Sequence, residues 1–164
     1  MKVFLVAFAF YVSLFVGCNR GGTATGAQAL PAAQLINATG DVIDLSSFKG
    51  KKVFVNLWAT WCPPCVEEMP SIQQLYNQTQ NSNTEFVMIS LDKNFNIAKQ
   101  WAQKKKYSLP LYFPSGDLPE LFQVSGIPTT FIFDEEGKLI FSQVGGDNYS
   151  KPKFVKMLTD PAQP

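Results

Sequence analysis

An apolar run, Val53-Phe54-Val55-Asn56-Leu57-Trp58, feeds almost directly into Trp61-Cys62-Pro63-Pro64-Cys65, and residues with helical spacing, Met69, Ile72, Leu75 and Tyr76, lead away from it. The two cysteines therefore fall where a buried strand ends and a helix begins. At a helix N-terminus the free backbone N–H groups and the helix dipole favour a thiolate over a thiol. Two intervening residues let the second sulfur reach the first, so the pair can cycle between dithiol and disulfide. Other uses of such a pair fit less well. Zinc needs about four ligands, and the chain has no histidine and only one further cysteine, Cys18. Covalent haem attachment needs a histidine directly after the second cysteine, where Val66 stands. A purely structural disulfide gains little from closing so small a loop. The expectation is a redox-active Cys62–Cys65 pair, with no metal and no other cofactor.

Trp61-Cys62-Pro63-Pro64-Cys65 resembles the active site of thioredoxin-fold proteins, and the following Glu67-Glu68-Met69-Pro70 resembles the TlpA/ResA/CcmG branch of extracytoplasmic thiol–disulfide oxidoreductases. Gly126-Ile127-Pro128-Thr129-Thr130-Phe131 is similar to the cis-proline segment of the same fold. The resemblance covers about residues 30 to 160. It implies an α/β thioredoxin fold: a central mixed β-sheet flanked by helices, with an N-terminal β-hairpin and a central αβ insertion.

Length suggests one domain. Met1-Lys2 and the apolar Val3 to Val16 form a positive n-region and an h-region too short for a comfortable membrane span. The stretch ends in Leu14-Phe15-Val16-Gly17-Cys18, which resembles a bacterial lipoprotein signal with Cys18 as the acylated residue. An ordinary secretory leader or an uncleaved anchor is the alternative. Lipidation also accounts for the odd cysteine. Residues 1–17 are thus read as a signal peptide, 18–29 as a Gly/Thr/Ala-rich flexible tether, and 30–164 as the folded domain. Once Lys2 leaves with the leader, basic and acidic side chains balance. Nothing suggests nucleic acid, which calls for a basic patch.

Within the domain, Gln34–Asn37 and Val42–Leu45 flank a turn and predict a β-hairpin. Residues 85–91 read as a core parallel strand. Ile97, Ala98, Trp101 and Ala102 mark an amphipathic helix whose last turn carries Lys104-Lys105-Lys106, a solvated helix end that suits the dipole. Leu111–Phe113 predicts a short strand, Leu118–Val124 a short helix, 129–134 and 138–143 two strands joined by Glu135-Glu136-Gly137, and Lys153–Leu158 a final helix. Pro70 either kinks the helix after Cys65 or stands in its first turn.

Cys62, expected to be the exposed member at the helix start, is the predicted nucleophile, and Cys65, deeper and one turn in, resolves the mixed disulfide. Trp61 either shields the site or is plain core. Thioredoxin-like proteins often carry a buried Asp where this chain has Asn56, which cannot take a proton. In the ResA-like branch a Glu at the position of Glu68 lies near the thiols; otherwise Glu68 is an ordinary acid in a first helical turn. The resemblance implies that Trp61, Pro63, Pro64, Ile127 and Pro128 contact substrate, with the Pro128 loop offering the Ile127 backbone to an extended peptide. It further implies a monomeric, lipid-anchored, periplasm-facing reductant, recharged by a DsbD/CcdA-type membrane electron donor and acting on apocytochrome c or other exported protein thiols. Two other functions are weighed. A peroxiredoxin-like thiol peroxidase wants Thr at position 59, where Ala stands and Thr60 is out of place by one. A lipoprotein binding module would use the cysteines only as a staple.

Overall fold

The structure, a computed structural model, describes residues 28–160. The leader, Cys18 and nearly all of the predicted tether lie outside the described residues. Strand β1 (Gln34–Asn37) and strand β2 (Val42–Asp44) form the expected hairpin. Its turn closes through Gly40, whose φ of 99° suits a residue without a Cβ. Leu45–Phe48 forms a single 3₁₀ turn, and strand β3 (Lys52–Trp58) follows. Helix α1 (Pro63–Thr79), strand β4 (Thr84–Ser90), helix α2 (Phe95–Lys105), strand β5 (Leu111–Pro114), strands β6 (Thr129–Phe133) and β7 (Leu139–Val144), and helix α3 (Pro152–Thr159) complete the order.

The strands make one seven-stranded mixed sheet in the order β2-β1-β5-β4-β3-β6-β7. β3 pairs parallel with β4 and antiparallel with β6, so it is an interior strand, and it is buried along its whole length. A strand covered on both faces reads as a continuous apolar run, because neither side can be polar. Its side chains still alternate. Val53, Val55 and Leu57 join Val87, Ile89, Phe131 and Phe133 on one face. Phe54 and Trp58 join Cys65, Met69, Ile72 and the buried residues of α2 and α3 on the other. Asn56 shares the parity of Phe54 and Trp58, which puts a polar side chain on the helix-covered face.

The structure departs from expectation in three places. Residues 118–124 form only a 3₁₀ turn, Glu120–Phe122, rather than a helix. No α-helical ladder forms there, and Phe122, Leu118 and Leu121 are held by packing against the core instead. The predicted tether reaches two residues too far: Leu139 N donates to Gln28 O, Ala29 is bridged to Lys138, and Leu30 N donates to Gly137 O, so the chain is already part of the fold there. Finally, α1 begins at Pro63, which places Pro70 inside the helix and excludes a start at Pro70.

Candidate active site

Cys62 is the N-cap of α1, in extended conformation, and its sulfur accepts a hydrogen bond from Cys65 N at 3.3 Å. Pro63 and Pro64 occupy the first two helical positions, where the missing N–H costs nothing and the fixed φ already suits the helix. Cys62 and Cys65 are joined as a disulfide with Cα atoms 5.3 Å apart. Cys65 is wholly buried and Cys62 is 4 % exposed. The expectation of an exposed Cys62 is therefore corrected: in the disulfide form Cys62 is buried, with its sulfur 3.6 Å from the Ile127 carbonyl oxygen of the 126–128 loop. The Ile127–Pro128 peptide is cis.

Trp61, next to Cys62 in the chain, is 64 % exposed, which excludes the plain-core reading. The turn carrying it is pinned from below. Asp92, buried just beyond β4, accepts from Thr60 Oγ1 at 2.6 Å, from Thr60 N at 3.2 Å and from Ser90 Oγ at 2.8 Å. Pro63 and Pro64 are exposed next to Trp61, Ile127 is half-buried, and Pro128 is buried.

Glu68 lies three residues beyond Cys65 on the same buried face of α1. It is in the second turn and only 4 % exposed, so the account of an ordinary first-turn acid fails. Its Oε1 accepts from Asn56 Nδ2 at 2.8 Å, and its Oε2 accepts from Asp147 N at 3.3 Å. Asn56 Nδ2 also donates to Thr130 Oγ1 at 2.9 Å, and the Tyr149 hydroxyl donates to the same oxygen at 2.7 Å. The carboxylate thus ties α1 to β3, β6 and the segment before α3. Burial raises the Glu68 pKa from the ordinary 4.5 to about 7, the hydrogen bonds from Asn56 and Asp147 N opposing and the Asp147 charge reinforcing the shift. Burial also holds the Tyr149 phenol protonated well above its usual range.

Sequence reasoning found Cys62, Cys65 and Glu68 but missed Asp92, Thr130, Asp147 and Tyr149. Thr130 stood inside a motif already singled out. The other three carry no local signal, because their partners are 32, 79 and 19 residues away in the chain. Among the described residues, no group of three or more His, Cys, Asp or Glu side chains is placed to hold a metal ion.

A helix-capping disulfide, a loop carbonyl against its outer sulfur and a buried acid one turn further in together suit thiol–disulfide exchange. Comparison with known proteins agrees. The pattern of the family described as Redoxin matches residues 24–158. The chain belongs to the Redoxin family. Within it, the chain is 33 % identical over 123 residues to the thiol-disulfide oxidoreductase ResA of Bacillus thuringiensis subsp. konkukian, covering 73 % of this chain and 70 % of that one. It is 28 % identical over 136 residues to ResA of Bacillus subtilis, covering 82 % and 74 %. Among solved structures it resembles a thiol:disulfide interchange protein of the thioredoxin family from Chlorobium tepidum, with a TM-score of 0.65 and 28 % identity over 80 % of this chain and 97 % of that one. The chain is a thiol–disulfide oxidoreductase of the ResA type with a thioredoxin fold. Family membership sets aside the binding-module reading.

Proposed function

We propose that this Redoxin reduces disulfides of exported proteins, apocytochrome c thiols among the candidate clients, on the outer side of a bacterial membrane to which Cys18 anchors it. The Cys62 thiolate attacks a client disulfide, forms a mixed disulfide and releases one client thiolate. The Glu68 carboxylate takes the proton from the Cys65 thiol. The Cys65 thiolate then attacks Cys62 Sγ, closes the Cys62–Cys65 disulfide and expels the second client thiolate, which takes a proton from water. A DsbD/CcdA-type membrane donor returns two electrons and restores the dithiol. The Ile127 carbonyl, Pro128, Pro63, Pro64 and the exposed Trp61 indole provide the surface on which a client strand lies.

The observation that carries the reductant reading is the buried Glu68 carboxyl on the helical face of Cys65. A carboxylate there disfavours a second negative charge, raises the thiol pKa values and couples their titrations. A poorly stabilised thiolate makes the dithiol readier to be oxidised, which is the character of a reductant. Two experiments test the reading. Limiting alkylation of the reduced protein near neutral pH should label Cys62; preferential labelling of Cys65 reverses the roles. Cys65→Ala, expressed in the native host, should trap an exported protein on Cys62. Failure to reduce a protein disulfide in vitro, with retained turnover of peroxide, would replace the proposal with the peroxidase.

A further inference from the structure

We propose that the cleft beside Gly146 is the proton port of Glu68, the route by which its carboxyl exchanges protons with water while a client protein covers the Cys62 face. The inference rests on the proton role proposed for Glu68 above. Glu68 is almost wholly buried, yet its side chain forms part of the wall of an open cleft of about 490 Å³. The other walls are Pro64, Glu67, Gly146, Asp147, Asn148 and Lys151. An adjoining cleft of about 380 Å³ shares Glu67, Glu68, Asp147 and Asn148 and extends along α1 past Pro70 to Gln74. Of the proposed client surface only Pro64 also lines the first cleft, and none of it lines the adjoining one. A protein lying across the disulfide therefore leaves the opening along α1 to solvent.

Gly146 is the clearest sign that the opening is built. Its backbone lies outside the left-handed region, so nothing in its conformation demands glycine. A Cβ at this position would stand 3.5 Å from Glu68 Oε2 and 3.6 Å from the Pro64 carbonyl oxygen, in ordinary contact. Any larger side chain would extend from there into the space over the carboxylate. Glycine keeps that space for water.

Charges around Glu68 are arranged to suit exchange at this side. From β3 the neutral Asn56 donates to it, and behind Asn56 stand Thr130 of β6 and the protonated Tyr149, whose hydroxyl donates to Thr130. On α1 its neighbour Glu67 is exposed. Asp147 is the one acid that both lines the cleft and touches Glu68, through its backbone N–H, while its own carboxylate pairs with Lys151 and Lys153. Mixed-disulfide resolution moves a proton from the Cys65 thiol to the Glu68 carboxylate. The acid so formed passes that proton to water in the cleft and returns to a carboxylate for the next cycle.

The test compares Gly146→Val, Gly146→Ala, Asp147→Asn, Glu68→Gln and wild type, using insulin as a protein disulfide and glutathione disulfide as a small one. Closing the port with Gly146→Val should raise the Glu68 titration midpoint, followed by carboxyl-carbon NMR of the oxidised protein. It should slow insulin reduction about tenfold, at the low end of what positioned acid–base groups supply. Glutathione disulfide, too small to cover the Cys62 face, should change by less than about twofold. Gly146→Ala, which adds one methyl in ordinary contact, should move both readings the same way by less, and it serves if the valine variant does not fold. Asp147→Asn keeps the backbone donor and removes the charge, so the Glu68 midpoint should fall. Glu68→Gln separates the two ideas. If it leaves the pH–rate profile at wild type, the proton role itself fails. If it flattens the profile while both Gly146 variants keep wild-type insulin rates and an unmoved Glu68 midpoint, the role stands and the port is overturned. Equal slowing with both disulfides also overturns the port, since it would mark a general distortion of the site.

Discussion

A carboxyl at position 68 must be charged to accept a proton and neutral to be stable where it lies. With the folded pKa near 7 and the ordinary value at 4.5, the folded oxidised protein binds more protons than the unfolded chain between those pH values. Stability contributed at Glu68 is therefore fully present below about pH 4.5 and lost as pH rises to about 7. The loss amounts to roughly 3 kcal/mol. Urea denaturation of the oxidised protein should show this slope, and Glu68→Gln should remove it. Thiol titration gives a second outcome at the same residue. Glu68→Gln should lower the thiol pKa of Cys62 or Cys65 and change the pH–rate profile, while Glu67→Gln, altering an exposed neighbour, should leave both unmoved. If the two variants behave alike, the charge at Glu68 is not felt by the sulfurs.

The turn between β3 and α1 depends on an element that is not its neighbour in sequence. Asp92, beyond β4, supplies the acceptors for Thr60 N, Thr60 Oγ1 and Ser90 Oγ. Asp92→Ala leaves these donors unpaired and should cost about 2 kcal/mol in denaturant unfolding. It should also speed amide exchange around Thr60 and Trp61. Asp92→Asn, which keeps an acceptor for Thr60, should recover most of the loss; equal damage from both would mean that the charge rather than the hydrogen bonds matters. This clamp marks the boundary of what is readable along the chain. β3 was legible because burial on both faces leaves a continuous apolar run, and α1 because its apolar residues repeat at helical spacing. Glu68 was legible through the resemblance, and its place one helical turn beyond Cys65 is why the two share a face. Asp92, Asp147 and Tyr149 were not, because their meaning is set by sheet order, which brings distant segments together. The 118–124 segment misled for the opposite reason: its apolar residues have helical spacing, but that spacing reflects their packing against the core rather than a hydrogen-bond ladder.

For the molecule as a whole, the proposed anchor gives a direct outcome. Labelling with a palmitate analogue should tag the wild type and leave Cys18→Ala untagged and free of the membrane fraction; equal labelling of both would remove the lipid from the picture. No helix among the described residues is long and apolar enough to cross a membrane. The point where the chain enters the fold then sets how the domain hangs. Ala29 pairs with Lys138 at the start of β7, and β7 runs from there toward Val144, which pairs with Thr129 next to Pro128. The chain thus joins the domain at its foot, and the disulfide lies at the head, about 17 Å further along the strands. About ten residues separate Cys18 from Gln28, a leash of at most about 35 Å when fully drawn out. On the anchoring proposed at Cys18, the domain is held from its foot, with the head on the side away from the mooring. The bilayer donor proposed above would then be on the wrong side, so each recharging would require either the domain to capsize on its leash or the donor to carry its own thiols well clear of the lipid. Shortening the leash would leave outward traffic untouched and starve the inward half of the cycle.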